Sequence, residues 1–231
     1  MTWSWNTFFF GIYPFVAGTI FLVGTPVRLF YGQWERYSES QYSGAPFASR
    51  RYMMWASNLF HVGILLLFLG HFTGFLTHIL VWLGVDPVEH QAIAASVGIS
   101  AGITAWIGGV MLLLRRDFDA AVRHASRPMD MFILVWLFIT LTFGLATQFV
   151  SVPDLVIHSN VAYIIILIQY VRSIAHFQPQ PQLLGPLPMI YKIHIFCGMT
   201  VFLLFPFSRL VHILTRPFSF VFSRDRDHWF W

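Results

Sequence analysis

The chain has 231 residues, of which 57% are hydrophobic, only 10% are charged and 25 are Phe. A soluble domain must cover its surface with polar side chains, so this composition excludes most classes of soluble protein. The formal net charge of +4 is accounted for by arginines on one side of a predicted membrane protein, and no nucleic-acid partner is needed to explain it.

Stretches without Lys, Arg, Asp or Glu cover residues 1–27, 52–85, 90–114, 131–153 and 193–208. A helix that crosses a bilayer needs about 20 apolar residues. We therefore predict an all-α integral membrane bundle of about five transmembrane helices, with 1–231 forming a single domain. The predicted spans are approximately 6–31, 53–80, 91–114, 131–149 and 189–214. The first has neither a basic leading segment nor a small-residue cleavage site, so we expect it to be retained.

The segment 151–188 is predicted to lie between spans four and five. Residues 161–171 are apolar enough for a short helix, and Pro179, Pro181, Pro186 and Pro188 favour extended or turning backbone after it. We expect this segment to lie against the outer membrane surface as an amphipathic piece.

Arginine marks one side of the predicted bundle. Twelve of the 14 Lys and Arg residues fall in the first and third loops and at the C-terminal end, and only Arg172 and Lys192 fall on the opposite side. Loops rich in positive charge lie in the cytoplasm. The predicted topology therefore has the N-terminus outside and the C-terminus in the cytoplasm.

Four histidines lie within the predicted spans: His61 and His71 in span two, and His194 and His212 in span five. Polar side chains are costly in a membrane and usually face the bundle interior. His194 and His212 share a helix face roughly 27 Å apart, and His61 and His71 are roughly 15 Å apart. Because spans two and five run in opposite directions, His71 and His194 should lie toward the outside, and His61 and His212 toward the cytoplasm. Two cross-helix pairs are predicted.

Imidazoles from two helices at two depths suit two stacked haems, because a haem holds two helices apart while its iron is ligated from both faces. Two axial histidines leave no open coordination position, which favours electron transfer. Gly63, Gly70 and Gly198 are the small residues expected to let the macrocycle approach. Zinc is a weaker hypothesis because HExxH is absent, and the single Cys197 offers no CxxCH for covalent haem attachment.

Spacing alone leaves other functions open. A proton or ion transporter without haem also uses buried histidines, as relays. A structural anchor for a peripheral enzyme needs no cofactor, and its histidines would serve as interhelical hydrogen-bond partners.

Four motifs carry a resemblance: FFFGIYP at 8–14, ASNLFHVGI at 56–64, GHF at 70–72 and HIFCGMTVFLLFPFSRLVHI at 194–213. Together they closely resemble the gamma subunit of the membrane-bound respiratory nitrate reductase, a five-helix cytochrome b with two haems. The resemblance covers most of the chain and is weakest in 151–188. Related nitrite oxidoreductases use a similar complex in reverse.

The resemblance implies two b-type haems, with His71 and His194 holding the outer one and His61 and His212 the inner one. It implies electron transfer between a quinol/quinone pool at the outer side and an iron–sulfur beta subunit on the cytoplasmic face. Nitrate chemistry resides in a molybdenum-containing alpha subunit. The chain is then the electron-transfer and anchor subunit of a quinol nitrate reductase in the lipid of the cell inner membrane.

Two further residues are predicted near the haems. Members of the family often carry a lysine in the loop between spans two and three, where it can bond a quinone oxygen. In this chain the position is His90, which could contact the quinone instead. The nearby carboxylates of Asp86 and Glu89 are suited to proton relay. The alternative for His90 is an ordinary position at the start of a helix, where its acidic neighbours suit the helix N-terminus. Arg209 lies three residues before His212, on about the same face, and its predicted partner is a propionate of the inner haem, with snorkelling to lipid phosphate as the alternative.

Overall fold

A computed structural model describes residues 5–31, 49–76, 79, 83–119, 122–123, 126–158 and 161–214. The principal helices of this part of the chain are α1 (Trp5–Tyr31), α2 (Arg50–Phe75), α3 (Pro87–Phe118), α4 (Pro128–His158), α5 (Ala162–Ala175) and α6 (Met189–Leu204). Five of these, α1 to α4 and α6 with the turn after it, are long and apolar enough to cross a membrane. For the described residues, the predicted all-α class is confirmed, and so is the number of helices that could span a membrane.

The helices pack in an order that leaves α2 and α6 facing each other. α2 packs along α3, α3 against α4, α4 against α6, and α6 against α1. The contact between α2 and α3 is very close, because a Cβ on Gly63 would lie 2.5 Å from the backbone nitrogen of Ala105. Gly63 therefore serves helix packing, and its predicted place beside a macrocycle is wrong.

Large apolar side chains point away from the bundle. Leu22, Phe30, Phe68, Ile93 and Phe149 are all exposed. Such a surface is unfavourable in water and suits lipid acyl chains.

Helix ends depart from the predicted spans where capping residues act. α2 begins at Arg50, where the Ser49 hydroxyl accepts the Tyr52 N–H, and it ends at Phe75, five residues earlier than predicted. α3 begins at Pro87 because the Asp86 carboxylate accepts two backbone N–H groups of the first turn, at 3.0 and 2.9 Å. Asp86 is thus a helix cap, which gives this carboxylate a structural task apart from the predicted proton relay.

α4 is longer than predicted. It continues through Pro153 to His158, so the expectation that the chain leaves the helix at about residue 151 is wrong. A proline removes one backbone donor, and membrane helices tolerate that loss. The short helix expected over 161–171 is present as α5, followed by a 3-10 turn at Pro181–Leu184.

α5 and the proline-rich turn close one end of the bundle. Tyr170 packs with Phe10, Leu184, Leu187 and Tyr191 in a buried cluster. The Tyr170 hydroxyl donates to the Phe10 carbonyl at 2.9 Å, and burial raises the pKa of Tyr170, so this donor stays protonated. The contact of α5 with a membrane surface stays a prediction.

The last span is broken. α6 ends at Leu204, a 3-10 turn follows at Phe205–Phe207, and Ser208 is extended (φ −113°, ψ 177°) before a second short turn at Arg209–Val211. Pro206 cannot continue the helical bonding, and the Ser208 hydroxyl accepts the Leu210 N–H at 3.2 Å. The continuous helix predicted over 189–214 is therefore wrong, and helical periodicity does not set the position of His212.

Candidate functional site

Two histidine pairs join α2 to the last span, one to α6 itself and one to the segment that follows its break. The ring centroids of His71 and His194 are 6.1 Å apart, with an angle of 45° between the ring planes. The centroids of His61 and His212 are 5.9 Å apart, with an interplanar angle of 68°. The structure thus brings the four histidines together in the two combinations that the antiparallel topology predicts.

Each of the four imidazoles has its Nδ1 atom next to a backbone carbonyl. His61 and His71 reach the carbonyls of Ser57 (2.8 Å) and Leu67 (2.7 Å) in the preceding turn of α2. His194 reaches Thr140 of α4 at 3.0 Å, and His212 reaches Arg209. A carbonyl only accepts, so each Nδ1 carries the proton and each Nε2 presents a lone pair, as metal-binding histidines require.

α4 carries none of the four histidines, but it contacts α6 at Cys197 and His194. The Trp136 indole donates to the Cys197 carbonyl at 3.1 Å. Gly144 lies under the His194 ring, since a Cβ at this position would be 2.8 Å from the ring Cε1 atom. The Thr140 carbonyl therefore bonds the Nδ1 edge of the His194 imidazole. Gly144, one turn later, leaves room for the face of the ring.

The two pairs have the dimensions of bis-imidazole sites for a haem iron. With metal–nitrogen bonds of about 2 Å, as in other imidazole sites, the two ring centroids stand roughly 6 Å apart. No three His, Cys, Asp or Glu side chains converge anywhere in the described part of the chain, so a site completed by protein ligands alone is not formed there. Gly70 and Gly198 face open space, and their place beside a macrocycle stays a prediction.

Arg209 has a protein partner that the sequence analysis missed. Its Nη2 atom lies 2.7 Å from a carboxylate oxygen of Asp130, at the start of α4. Asp130 lies one residue before the predicted fourth span, so its burial was not predicted from the sequence. The sequence signal that could have indicated a buried ion-pair partner is an acidic residue close to Arg127 at a span boundary. Asp130 offsets the guanidinium charge, and the contact with a propionate stays a prediction.

His90 lies in the first turn of α3 and is half-buried. Its N–H donates to the Asp86 carbonyl at 3.0 Å, as in any first helical turn. This position is compatible with both interpretations of His90, as a quinone contact and as a plain helix-start residue.

Fold and site together define a multi-span membrane protein with two stacked pairs of facing imidazoles. Residues 6–226 match the family model described as nitrate reductase gamma subunit. Over 219 residues the chain is 39% identical to the respiratory nitrate reductase 1 gamma chain of Escherichia coli strain K12, covering 94% of this chain and 93% of that one. It is 36% identical over 222 residues to the respiratory nitrate reductase 2 gamma chain of the same strain, covering 95% of this chain and 94% of that one.

A third relative is the nitrate reductase gamma chain of Bacillus subtilis strain 168, which is 31% identical over 213 residues, covering 91% of this chain and 92% of that one. The chain belongs to the nitrate reductase gamma subunit family. The resemblance that the four motifs indicated is thereby confirmed.

Proposed function

We propose that the chain is the dihaem cytochrome b subunit of a respiratory nitrate reductase, which anchors the complex in the cell inner membrane and passes electrons to it from quinol. The observation that supports this most directly is the pair of facing imidazole sites, with ring centroids 5.9 and 6.1 Å apart and each Nδ1 next to a backbone carbonyl. Family membership supports the iron–sulfur beta subunit and the molybdenum-containing alpha subunit as partners.

The proposed orientation follows the arginines. The end of the bundle with Arg115, Arg116 and Arg209 is the cytoplasmic one, by the excess of positive charge in cytoplasmic loops. His61 and His212 then hold an inner haem near the iron–sulfur subunit, and His71 and His194 an outer haem near the opposite surface. Haems held by these two histidine pairs would supply reversible one-electron transfer.

The residues of the chain have distinct tasks in this proposal. The four Nε2 atoms would bind the haem iron, and the carbonyls of residues 57, 67, 140 and 209 hold the rings in the metal-binding tautomer. The apolar helix surfaces exclude water and bind lipid. His90, at the outer end of α3, is the proposed contact for the quinol headgroup.

A visible spectrum of the chain, purified with its partner subunits from haem-replete cells, tests the proposal. We expect a reduced b-type α band and about two haems per chain. A colourless chain would support the transporter or structural-anchor alternatives and contradict the proposal.

Electron flow in the opposite direction, as in nitrite oxidoreductases, is the second candidate. It is favoured by one feature, namely His90 at a position where quinol nitrate reductases of the family often carry lysine. Adding quinol or nitrite to the oxidised complex distinguishes the two directions: haem reduction by quinol supports nitrate reduction, and haem reduction by nitrite supports the reverse.

Replacing His90 with alanine is expected to slow quinol-driven reduction of both haems by about ten-fold, because one hydrogen bond to the bound headgroup is lost. Stopped-flow reduction at unchanged haem content is the measurement. His176→Ala, which removes an exposed histidine of the same chain, is the control and should reduce at the wild-type rate. A wild-type rate in His90→Ala as well would leave His90 as a plain helix-start residue.

A further inference from the structure

His212 does not lie on α6; it begins a further helical stretch that the structure describes over residues 212–214. α6 ends eight residues before His212, and the chain then passes through the extended residue Ser208. The His212 imidazole takes its orientation from the Arg209 carbonyl, which accepts its Nδ1–H. The position of Arg209 therefore determines how His212 presents its Nε2 to a metal.

Arg209 is in turn held by Asp130. The ion pair joins Nη2 of Arg209 to Oδ2 of Asp130 over 2.7 Å, and the Asp130 side chain is only 8% exposed. The Asp130 residue is itself fixed, because Arg116 of α3 donates to its backbone carbonyl at 3.0 Å. A continuous set of contacts thus runs from α3 through the start of α4 to the carbonyl that binds His212.

An ion pair with a buried carboxylate and a half-buried guanidinium is well suited to set a position. Its stability depends on close geometry, and loss of either partner leaves a charge in a poorly solvated place.

We propose that Asp130 is a positioning residue for the inner haem: by fixing Arg209, it orients the carbonyl that sets the His212 ring. This inference rests on the proposed function, since it assigns Asp130 a role toward the haem that His61 and His212 hold. Asp130 lies on α4, which carries no haem ligand, and it would act on the ligand His212 through Arg209.

Three variants of the full complex test the proposal: Asp130→Asn, Arg209→Gln and the double variant. The readouts are the low-spin electron paramagnetic resonance signal of the inner haem, which depends on the angle between its two imidazole planes, and its midpoint potential. Asp130→Asn should raise the potential, because an uncompensated guanidinium stabilises the reduced form, and Arg209→Gln should lower it.

The double variant separates position from charge. It restores charge balance, so its potential should return close to the wild-type value, while its low-spin signal should stay shifted because His212 is no longer held. Asp130→Glu, which keeps the charge, should largely preserve the wild-type signal. Asp154→Asn is the matched control, since it removes a carboxylate from the other end of α4, where the partner is His158 at 3.3 Å.

An intact outer-haem signal reports that each variant has folded and inserted. If Asp130→Asn and Arg209→Gln both keep the wild-type low-spin signal of the inner haem, Asp130 does not position His212 and the proposal is overturned. That outcome would leave the proposed function standing, whereas a wild-type complex without haem would contradict the proposed function itself.

Discussion

Replacing either histidine of a pair should remove the same haem and leave the other haem in place. His71→Ala and His194→Ala are expected to lose the outer haem, and His61→Ala and His212→Ala the inner one, because an iron bound by a single imidazole loses an axial bond on one face of the macrocycle. The haem content should fall from about two to about one per chain in each variant. Potentiometric titration of the four variants measures which haem remains.

The haem that remains is the folding control in this series. Its unchanged potential would show that the bundle has inserted and packed, so the loss can be assigned to the missing ligand. Crossed losses, with His61 and His194 affecting the same haem, would contradict the antiparallel arrangement of α2 and α6. Loss of both haems in all four variants would show that the two sites assemble only together.

The pairing was accessible from the sequence because it depends on few quantities. Charge-free stretches of sufficient length locate the spans, the arginine count sets their alternation, and a rise of about 1.5 Å per residue then assigns each histidine a depth. These arguments tolerate errors of several residues at helix ends. The break at Ser208 did not disturb the result, since Arg209–Val211 and His212 still lie level with His61.

The ends of the helices and the contacts that support the histidines were harder to predict from the sequence. Whether a helix stops at Phe149 or continues through Pro153 depends on packing against other helices, which local sequence does not reveal. Asp130 pairs with a residue 79 positions away, and Gly144 touches a ring on another helix. Such contacts between α4 and the last span need the three-dimensional arrangement, whereas the ligands themselves are marked by the cost of histidine in a membrane.

Adding one methyl group at Gly144 should displace the outer-haem ligand. A Cβ there would lie 2.8 Å from Cε1 and 3.3 Å from Nδ1 of His194, while the ring is bonded on that side to the Thr140 carbonyl. The ring cannot rotate away without losing this bond. Overpacking of this kind costs about 1–3 kcal/mol, so Gly144→Ala should weaken outer-haem binding by roughly ten-fold or more, at about 1.4 kcal/mol per factor of ten.

Haem content and the outer-haem potential of purified Gly144→Ala, compared with those of Gly102→Ala, measure this effect. A Cβ on Gly102 would lie 2.6 Å from the Leu145 Cδ2 atom, an equally close contact between α3 and α4, but one that falls on the flexible end of a leucine. Gly102→Ala should therefore keep both haems. Equal loss in the two variants would mean that α4 packing in general is affected, and a normal outer haem in Gly144→Ala would show that the His194 ring has room to move while still binding iron.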